Sequence, residues 1–224
     1  MRELPIPFTG PMVKAILKGR KTMIRRVIKF PPDALRYDFK WTPREFDTKV
    51  RKWIFDAVTP IEGYKSSWYV EVPYQVGDKL WVKESYRISH HENGDDCPCY
   101  KVDNLCQCGK PSQISVEEAK WKSGRFMFKK YARIWLEVTA VKAEQLQSIT
   151  PEDCKAEGSQ CSWRRGGKDW EDACRLTNTN PMWAQLGSTY KLGYQILWDS
   201  INGKAHPWES NPWVWVYPFR RIAK

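Results

Sequence analysis

The sequence lacks the features that mark membrane-spanning, secreted, repeat and low-complexity proteins. No apolar run approaches the roughly 18 residues that cross a bilayer. The first residues, Met1-Arg2-Glu3-Leu4-Pro5, have no apolar segment of the secretory type, and the chain contains neither internal repeats nor a low-complexity tract. We therefore expect a cytoplasmic protein without a membrane partner. A length of 224 residues suits a single domain with insertions.

Acidic residues are also absent from one stretch near the N-terminus. Between Gly10 and Pro32 there is no Asp or Glu but there are seven cations: Lys14, Lys18, Arg20, Lys21, Arg25, Arg26 and Lys29. The whole chain carries a formal net charge of +11, which favours polyanionic or phosphate-bearing ligands. Charge alone does not choose between RNA and a nucleoside.

The cations follow a short predicted helix. Pro11 suits the first helical position, apolar residues at 12, 13, 16 and 17 form one stripe, and Gly19 suits the end. Cations just beyond a helix C-terminus are favoured by its partial negative charge. The same stretch is therefore also explained as a basic helix end that keeps the chain soluble.

The motif Gly-x-Lys-x-x-x-x-Arg after a short helix, with Gly19, Lys21 and Arg26 in register, resembles the signature of the ASCH domain. Stretches similar to the branch of this family found in phages and prophages continue along the chain, at 76–84, 136–139, 149–158, 197–203 and 211–216. The resemblance implies an α+β, mainly β fold: a PUA-like β-barrel with short flanking helices. Insertions are expected at about 33–72, 90–120 (bearing cysteines) and 159–186.

Glu84 is expected to point into this barrel. Residues 79–86 form a predicted strand on which Leu80, Val82 and Glu84 share one face. An inward carboxylate needs a partner. We expect a cation of the 19–26 turn, with Arg26 as a candidate, to orient it.

A second predicted helix leads to Glu157. Thr150 suits the N-cap, Pro151 the first position and Gly158 the residue after the end. Glu157 then falls in the last turn, where the helix dipole disfavours an anion by about 0.3–1 kcal/mol. The misplaced charge favours a functional role, and the ASCH resemblance implies a functional glutamate here.

ASCH enzymes that hydrolyse N(4)-acetylcytidine are expected to use a lysine, a threonine three residues later and this glutamate. Lys21 and Glu157 match, but residue 24 is isoleucine. Either Thr22 replaces the threonine, or water activated by Lys21 attacks, or the chemistry is lost. Burial and like charge disfavour the ammonium form of such a lysine. Phe8 and Trp81 are candidates for the flat surface of a pyrimidine pocket.

Four cysteines lie close together in the second insertion: Cys97, Cys99, Cys106 and Cys108. They could close a tetrahedral structural zinc site, although two C-x-C pairs differ from the usual C-x-x-C knuckle. Reduced thiols and disulfides stay open as alternatives. No metal or other cofactor is expected in catalysis.

The first functional hypothesis is an amidohydrolase that removes acyl groups from the exocyclic amine of N(4)-acylated cytidine-type nucleosides or bases. Lys21 and Glu157 would meet in one cavity of the barrel. The second is a PUA-like RNA-binding module, in which the cations at 18–29 meet phosphates and aromatic side chains stack on bases. A ribonuclease that uses the same pocket is a third.

Overall fold

The computed structural model describes residues 1–31, 40–47, 52–58, 65–90, 96–110, 115–159 and 186–223. The described residues are mainly in β-strands, with three α-helices and several single 3₁₀ turns. They form two compact units, one of residues 1–23, 76–139 and 218–224, the other of residues 24–75 and 140–217. Among the described helices, none has the length and apolarity to cross a membrane.

A sheet with a buried face organises the first unit. Strand β1 (Glu3–Pro7) lies parallel to β6 (Lys79–Lys83), and β6 pairs antiparallel with β10 (Trp135–Val138). β10 in turn pairs with the C-terminal part of β12 (Trp213–Ile222). The predicted alternation holds, since Leu80, Val82 and Glu84 are buried while Trp81 and Lys83 are half-exposed.

Helix α1 (Gly10–Leu17) buries its apolar stripe in this unit and ends as predicted. Val13, Ala15 and Ile16 are buried, and Pro11 lies in the first turn. Gly19 has φ +70°, a conformation that glycine adopts without the steric cost of a Cβ.

The cysteine-bearing insertion is a small antiparallel sheet, not the irregular loop that its polar sequence indicates. It consists of β7 (Tyr86–His90), β8 (Asp96–Tyr100) and β9 (Leu105–Cys106). Tyr86, Tyr100 and Met127 form a buried cluster that packs this insertion against the chain at 127.

The second unit contains two groups of strands. β2 (Met23–Val27) pairs with β12, and β11 (Lys142–Gln145) pairs with residues 213–216 of β12. The region predicted as a hairpin-like insertion is a three-stranded antiparallel sheet of β3 (Lys40–Asp47), β4 (Lys52–Val58) and β5 (Lys65–Glu71). Aromatic contacts link Phe55 of β4 with Trp213 and Trp215, at ring-centroid distances of 5.8 and 6.0 Å.

Two helices complete the second unit. α2 (Pro151–Ala156) has the predicted cap, because the Thr150 hydroxyl accepts a hydrogen bond from the Asp153 N–H at 3.1 Å. α3 (Leu186–Asn202) buries Tyr194 and Trp198 but leaves Ile201 exposed. The predicted insertion at 159–186 lies almost wholly outside the described residues.

Candidate functional site

Lys21 is buried on the tight turn that follows α1. The N–H groups of Arg20 and Lys21 both donate to the Ala15 carbonyl, at 2.9 and 3.2 Å, and this reverses the chain beyond Gly19. The Lys21 side chain is only 2% exposed, and its amine lies 6.0 Å from the centroid of the Phe8 ring. A lysine amine is rarely buried unless its charge is compensated or it has a function.

Thr22 is exposed, although its neighbour Lys21 is buried. Its carbonyl accepts a hydrogen bond from the Phe219 N–H at 2.8 Å, which fixes the backbone as an extended segment. Ile24, the residue at the family's threonine position, is 2% exposed. Thr22 therefore differs from Lys21 in its access to solvent.

Glu157 ends α2 in the second unit. Its N–H donates to the Asp153 carbonyl at 2.8 Å, and Gly158 follows with φ +82°. The Glu157 side chain is 3% exposed, so the expected misplaced anion at the helix end is also a buried one. Whether Glu157 meets Lys21, which belongs to the first unit, stays a prediction.

Arg25 holds Glu157 and two further carboxylates, and sequence reasoning did not single it out. Its guanidinium donates to Glu157 Oε1 at 3.3 Å, to Asp153 Oδ2 at 2.8 Å and to Glu144 Oε1 at 2.6 and 3.1 Å. The Arg25 side chain is 0% exposed. Burial acts to lower the pKa of Arg25, but Glu157 and Glu144 outweigh it, so the pKa is raised and Arg25 stays charged.

Two neutral groups lie in the electrostatic surroundings of this cluster. Burial, reinforced by Glu157, raises the pKa of Tyr194 well above its ordinary value. Burial also raises the pKa of the Cys154 thiol to about 12, with Arg25 opposing the shift. Both side chains are therefore protonated near neutral pH, and the charges that act on them include Arg25, Glu157 and, for Cys154, Lys191.

Glu84 is buried as predicted, but the prediction of its partner was wrong. Arg133, not a cation of the 19–26 turn, donates to Glu84 Oε1 and Oε2, each at 2.9 Å. Arg133 also donates to Asp103 at 2.7 Å and lies 3.9 Å from the centroid of the Tyr100 ring. Burial raises the pKa of Glu84, against the lowering effect of Arg133. Arg133 therefore takes the role that was expected of a cation of the 19–26 turn, and it satisfies both carboxylate oxygens of Glu84.

The remaining predicted substrate contacts are dispersed. Phe8 is 8% exposed and packs edge-on against Phe219, at a centroid distance of 6.4 Å. Trp81 is half-exposed and has the Lys83 amine 5.6 Å from its ring. Arg26, half-buried in the second unit, acts to lower the pKa of Tyr74, which burial raises.

The four clustered cysteines converge, as the metal prediction requires. The sulfurs of Cys97, Cys106 and Cys108 all lie within 4.8 Å of one another, a group that could hold a metal ion. Cys99 is joined to Cys106 in a disulfide, and neither Cys97 nor Cys108 takes part in a disulfide. A disulfide and a metal-bound thiolate at Cys106 exclude each other, so Cys106 could bind a metal only after the disulfide is reduced.

A scan against protein-family models, a search of curated proteins and a search of solved structures each gave no match. The ASCH resemblance therefore rests on the sequence motifs alone. The burial of Lys21, Arg25, Glu84 and Glu157 is independent of it. These four are among seven polar or charged residues found buried in the described part of the chain.

Proposed function

We propose that the chain is a PUA-like, ASCH-family amidohydrolase acting on N(4)-acylated cytidine-type nucleosides or bases. The observation that carries the proposal is the burial of both candidate catalytic charges, Lys21 at 2% and Glu157 at 3% exposure. Perturbed, buried ionisable groups concentrate at functional sites, although structural ion pairs also occur. The sequence motifs predict both residues independently of their burial.

In this proposal the reaction is attack of water on the acyl carbonyl. The Lys21 amine accepts the proton of the attacking water, and the Glu157 carboxylate then takes this proton from Lys21 and passes it to the leaving exocyclic amine. The products are the acid and the free cytidine-type amine. Water is preferred to the Thr22 hydroxyl as nucleophile because Thr22 is exposed while Lys21 is buried.

The four other predicted substrate contacts take different roles. Both oxygens of Glu84 are engaged by Arg133, so we assign Glu84 a structural role. Phe8, beside the Lys21 amine, remains the candidate apolar surface for the pyrimidine, with Trp81 and Arg26 as outer contacts. The hydrolysis needs no metal, and zinc is proposed only as a structural ion at the cysteines.

The test is the ultraviolet change as purified protein converts N(4)-acetylcytidine to cytidine. Lys21→Ala and Glu157→Gln are expected to lower the rate by about 10²-fold or more, the scale of general acid–base catalysis. The matched controls are Lys18→Ala and Glu152→Gln, exposed residues of the same types close in sequence. The absence of turnover by the unaltered chain with N(4)-acetyl-, propionyl- and benzoylcytidine would refute the proposal.

A second candidate function, binding of single-stranded RNA, is favoured by a surface of the first unit. Phe126 and Phe128 are each 67% exposed, on either side of the buried Met127. The acid-free sequence around them carries exposed cations at Lys122, Arg125, Lys129 and Lys130. Aromatic rings among cations stack bases while the cations meet phosphates, with about 1–3 kcal/mol for each stacked base.

A hydrogen bond and two 3₁₀ turns fix the backbone that carries Phe126 and Phe128. The Tyr86 hydroxyl donates to the Phe126 carbonyl at 3.2 Å, and a 3₁₀ turn lies on each side of Met127. RNA retention that falls with salt and is lost in Phe126→Ala with Phe128→Ala would support binding. RNA retention that these changes leave unaffected would exclude this surface as the binding site. Cleavage of the RNA would favour the ribonuclease alternative.

A further inference from the structure

The folding of the cysteine-bearing insertion brings the sulfurs of Cys97, Cys106 and Cys108 within 4.8 Å of one another, and Cys99 is bonded to Cys106. Cys97 and Cys99 lie two residues apart on β8, so their side chains leave the same face of the strand. Cys106 is directly opposite Cys99 on β9. Cys108 is returned to the cluster by a turn in which the Cys106 N–H bonds the Lys110 carbonyl at 2.9 Å and Gly109 has φ +83°.

Backbone hydrogen bonds fix the turn that carries Cys108. The Gly109 N–H donates to the Cys106 carbonyl at 2.9 Å. Gln107 also donates to the Pro98 carbonyl at 2.8 Å, which ties the turn to β8.

The cluster has no apolar core of its own among the described residues. Its buried group consists of Cys97, Cys99 and Cys106 and no other side chain. Three thiol side chains bury little apolar surface, and the same sheet is also packed by the buried cluster of Tyr86, Tyr100 and Met127. On the cysteine side, either the Cys99–Cys106 disulfide or a metal ion bound by the sulfurs can cross-link the two short strands and the turn.

We propose that, in its reduced form, the chain binds one Zn²⁺ through Cys97, Cys99, Cys106 and Cys108. Zn–S bonds of about 2.3 Å in a tetrahedron place the sulfurs about 3.8 Å apart, within the 4.8 Å that separates the sulfurs of Cys97, Cys106 and Cys108. Cys99, which is bonded to Cys106, supplies the fourth sulfur once the disulfide is reduced. Four thiolates fill the coordination sphere, so the ion is structural and offers no position to a substrate.

Reduction of the disulfide and binding of zinc are two separate steps. A thiol reductant supplies two electrons and two protons, the Cys99–Cys106 bond breaks, and two thiols form while the reductant becomes a disulfide. Binding of Zn²⁺ to four thiols then releases four protons and leaves a site of net charge −2. Lys101 and Lys110, which flank the cluster in sequence, carry charge of the opposite sign.

A zinc ion at the cysteines would also help to fix the ion pair of Arg133 with Glu84. The loop that it closes, between Cys99 and Cys106, carries Tyr100 and Asp103, and both contact Arg133. Arg133 in turn holds the buried Glu84. The metal site is therefore coupled to the position of Arg133 by two contacts from a single loop.

The experiment uses the full chain expressed in zinc-supplemented medium and purified with a thiol reductant. We expect one zinc per chain by elemental analysis. Co²⁺ exchanged into the site should give the intense visible bands of a tetrahedral tetrathiolate. Cys108→Ser should lose the zinc on a column containing a chelator, whereas Cys154→Ala, a buried cysteine outside the cluster, should retain it.

Three outcomes would overturn the proposal. One is reduced protein with less than about a tenth of an equivalent of zinc. Another is equal zinc content in Cys108→Ser and the unaltered chain. The third is a Cys99–Cys106 disulfide that persists after reduction of the folded protein, since it would deny Cys106 to the metal. If Cys108→Ser does not fold, the Co²⁺ spectrum of the unaltered chain decides, because it reports sulfur ligation without a variant.

Discussion

Replacing Arg25 by methionine should destabilise the protein strongly, because it removes the partner of a buried carboxylate. Methionine keeps the apolar stem but removes the guanidinium from three carboxylates. Glu144 and Asp153 are 23% and 29% exposed, so water can take over much of their solvation. Glu157 is 3% exposed and cannot be solvated in the same way.

The expected cost is therefore dominated by Glu157. Breaking a buried ion pair by removing one partner costs about 3–5 kcal/mol, because the other charge stays buried. For a chain of this length, each 1 kcal/mol lowers the melting temperature by about 2–4 °C, so Arg25→Met should lower it by about 6–20 °C. Arg221→Met, at an exposed arginine of β12, should stay within about 0.5 kcal/mol of the unaltered chain.

A thermal double-mutant cycle tests this reasoning. Glu157→Gln removes the buried charge, so Arg25→Met should cost less in that background than alone, with a coupling of about 1–3 kcal/mol. Circular dichroism of the four proteins provides the melting temperatures. Additive effects within about 0.5 kcal/mol, or a loss below about 2 °C in Arg25→Met, would contradict the assigned Arg25–Glu157 pair.

Three further changes test the local structure. Burial raises the pKa of Glu84, so this carboxyl binds protons more strongly in the folded state than in the unfolded state. Its contribution to stability is therefore lost as the pH rises from the ordinary pKa of 4.5 through the pKa of the folded state. Glu84→Gln should flatten the dependence of the melting temperature on pH in this range, and an unchanged slope would contradict the raised pKa. In Gly124→Ala the new Cβ would lie 2.9 Å from the Glu84 carbonyl carbon, so we expect a loss of about 1–3 kcal/mol in the free energy of unfolding. Gly10→Ala is the control, because its new Cβ would lie 3.8 Å from the nearest atom and should be tolerated. Equal melting temperatures of the two variants would refute the close approach at Gly124. Thr150→Ala removes the cap of α2 and should cost about 1 kcal/mol, with Thr150→Ser as the control that retains it; a neutral Thr150→Ala would show that the cap is dispensable.

Elements with strong local signals could be predicted from the sequence. α1 and α2 have proline at the start and glycine after the end, and both form as expected. The alternation along 79–84 also gave the correct buried face, because a half-buried strand repeats every two residues. Local capping and periodicity are properties of neighbouring residues, so no knowledge of the rest of the fold was needed.

Pairings between distant residues could not be predicted in the same way. Arg133 is 49 residues from Glu84, and nothing in either local sequence indicates the other. Arg25 was one of seven similar cations, and its three acidic partners come from two later elements, at distances of 119 to 132 residues. The strands β7, β8 and β9 were missed because their polar, cysteine-containing sequence lacks the apolar alternation of a strand.

The most direct test of the central claim is kcat/KM for N(4)-acetylcytidine in the unaltered chain, Lys21→Ala, Glu157→Gln and the double variant. If both groups serve one reaction, each single change should lower kcat/KM by about 10²-fold or more, and the double variant should be little slower than the slower single variant. Melting temperatures identify any variant that has merely unfolded. Undetectable hydrolysis by the folded, unaltered chain, or a folded Lys21→Ala or Glu157→Gln variant with full activity, would contradict the account.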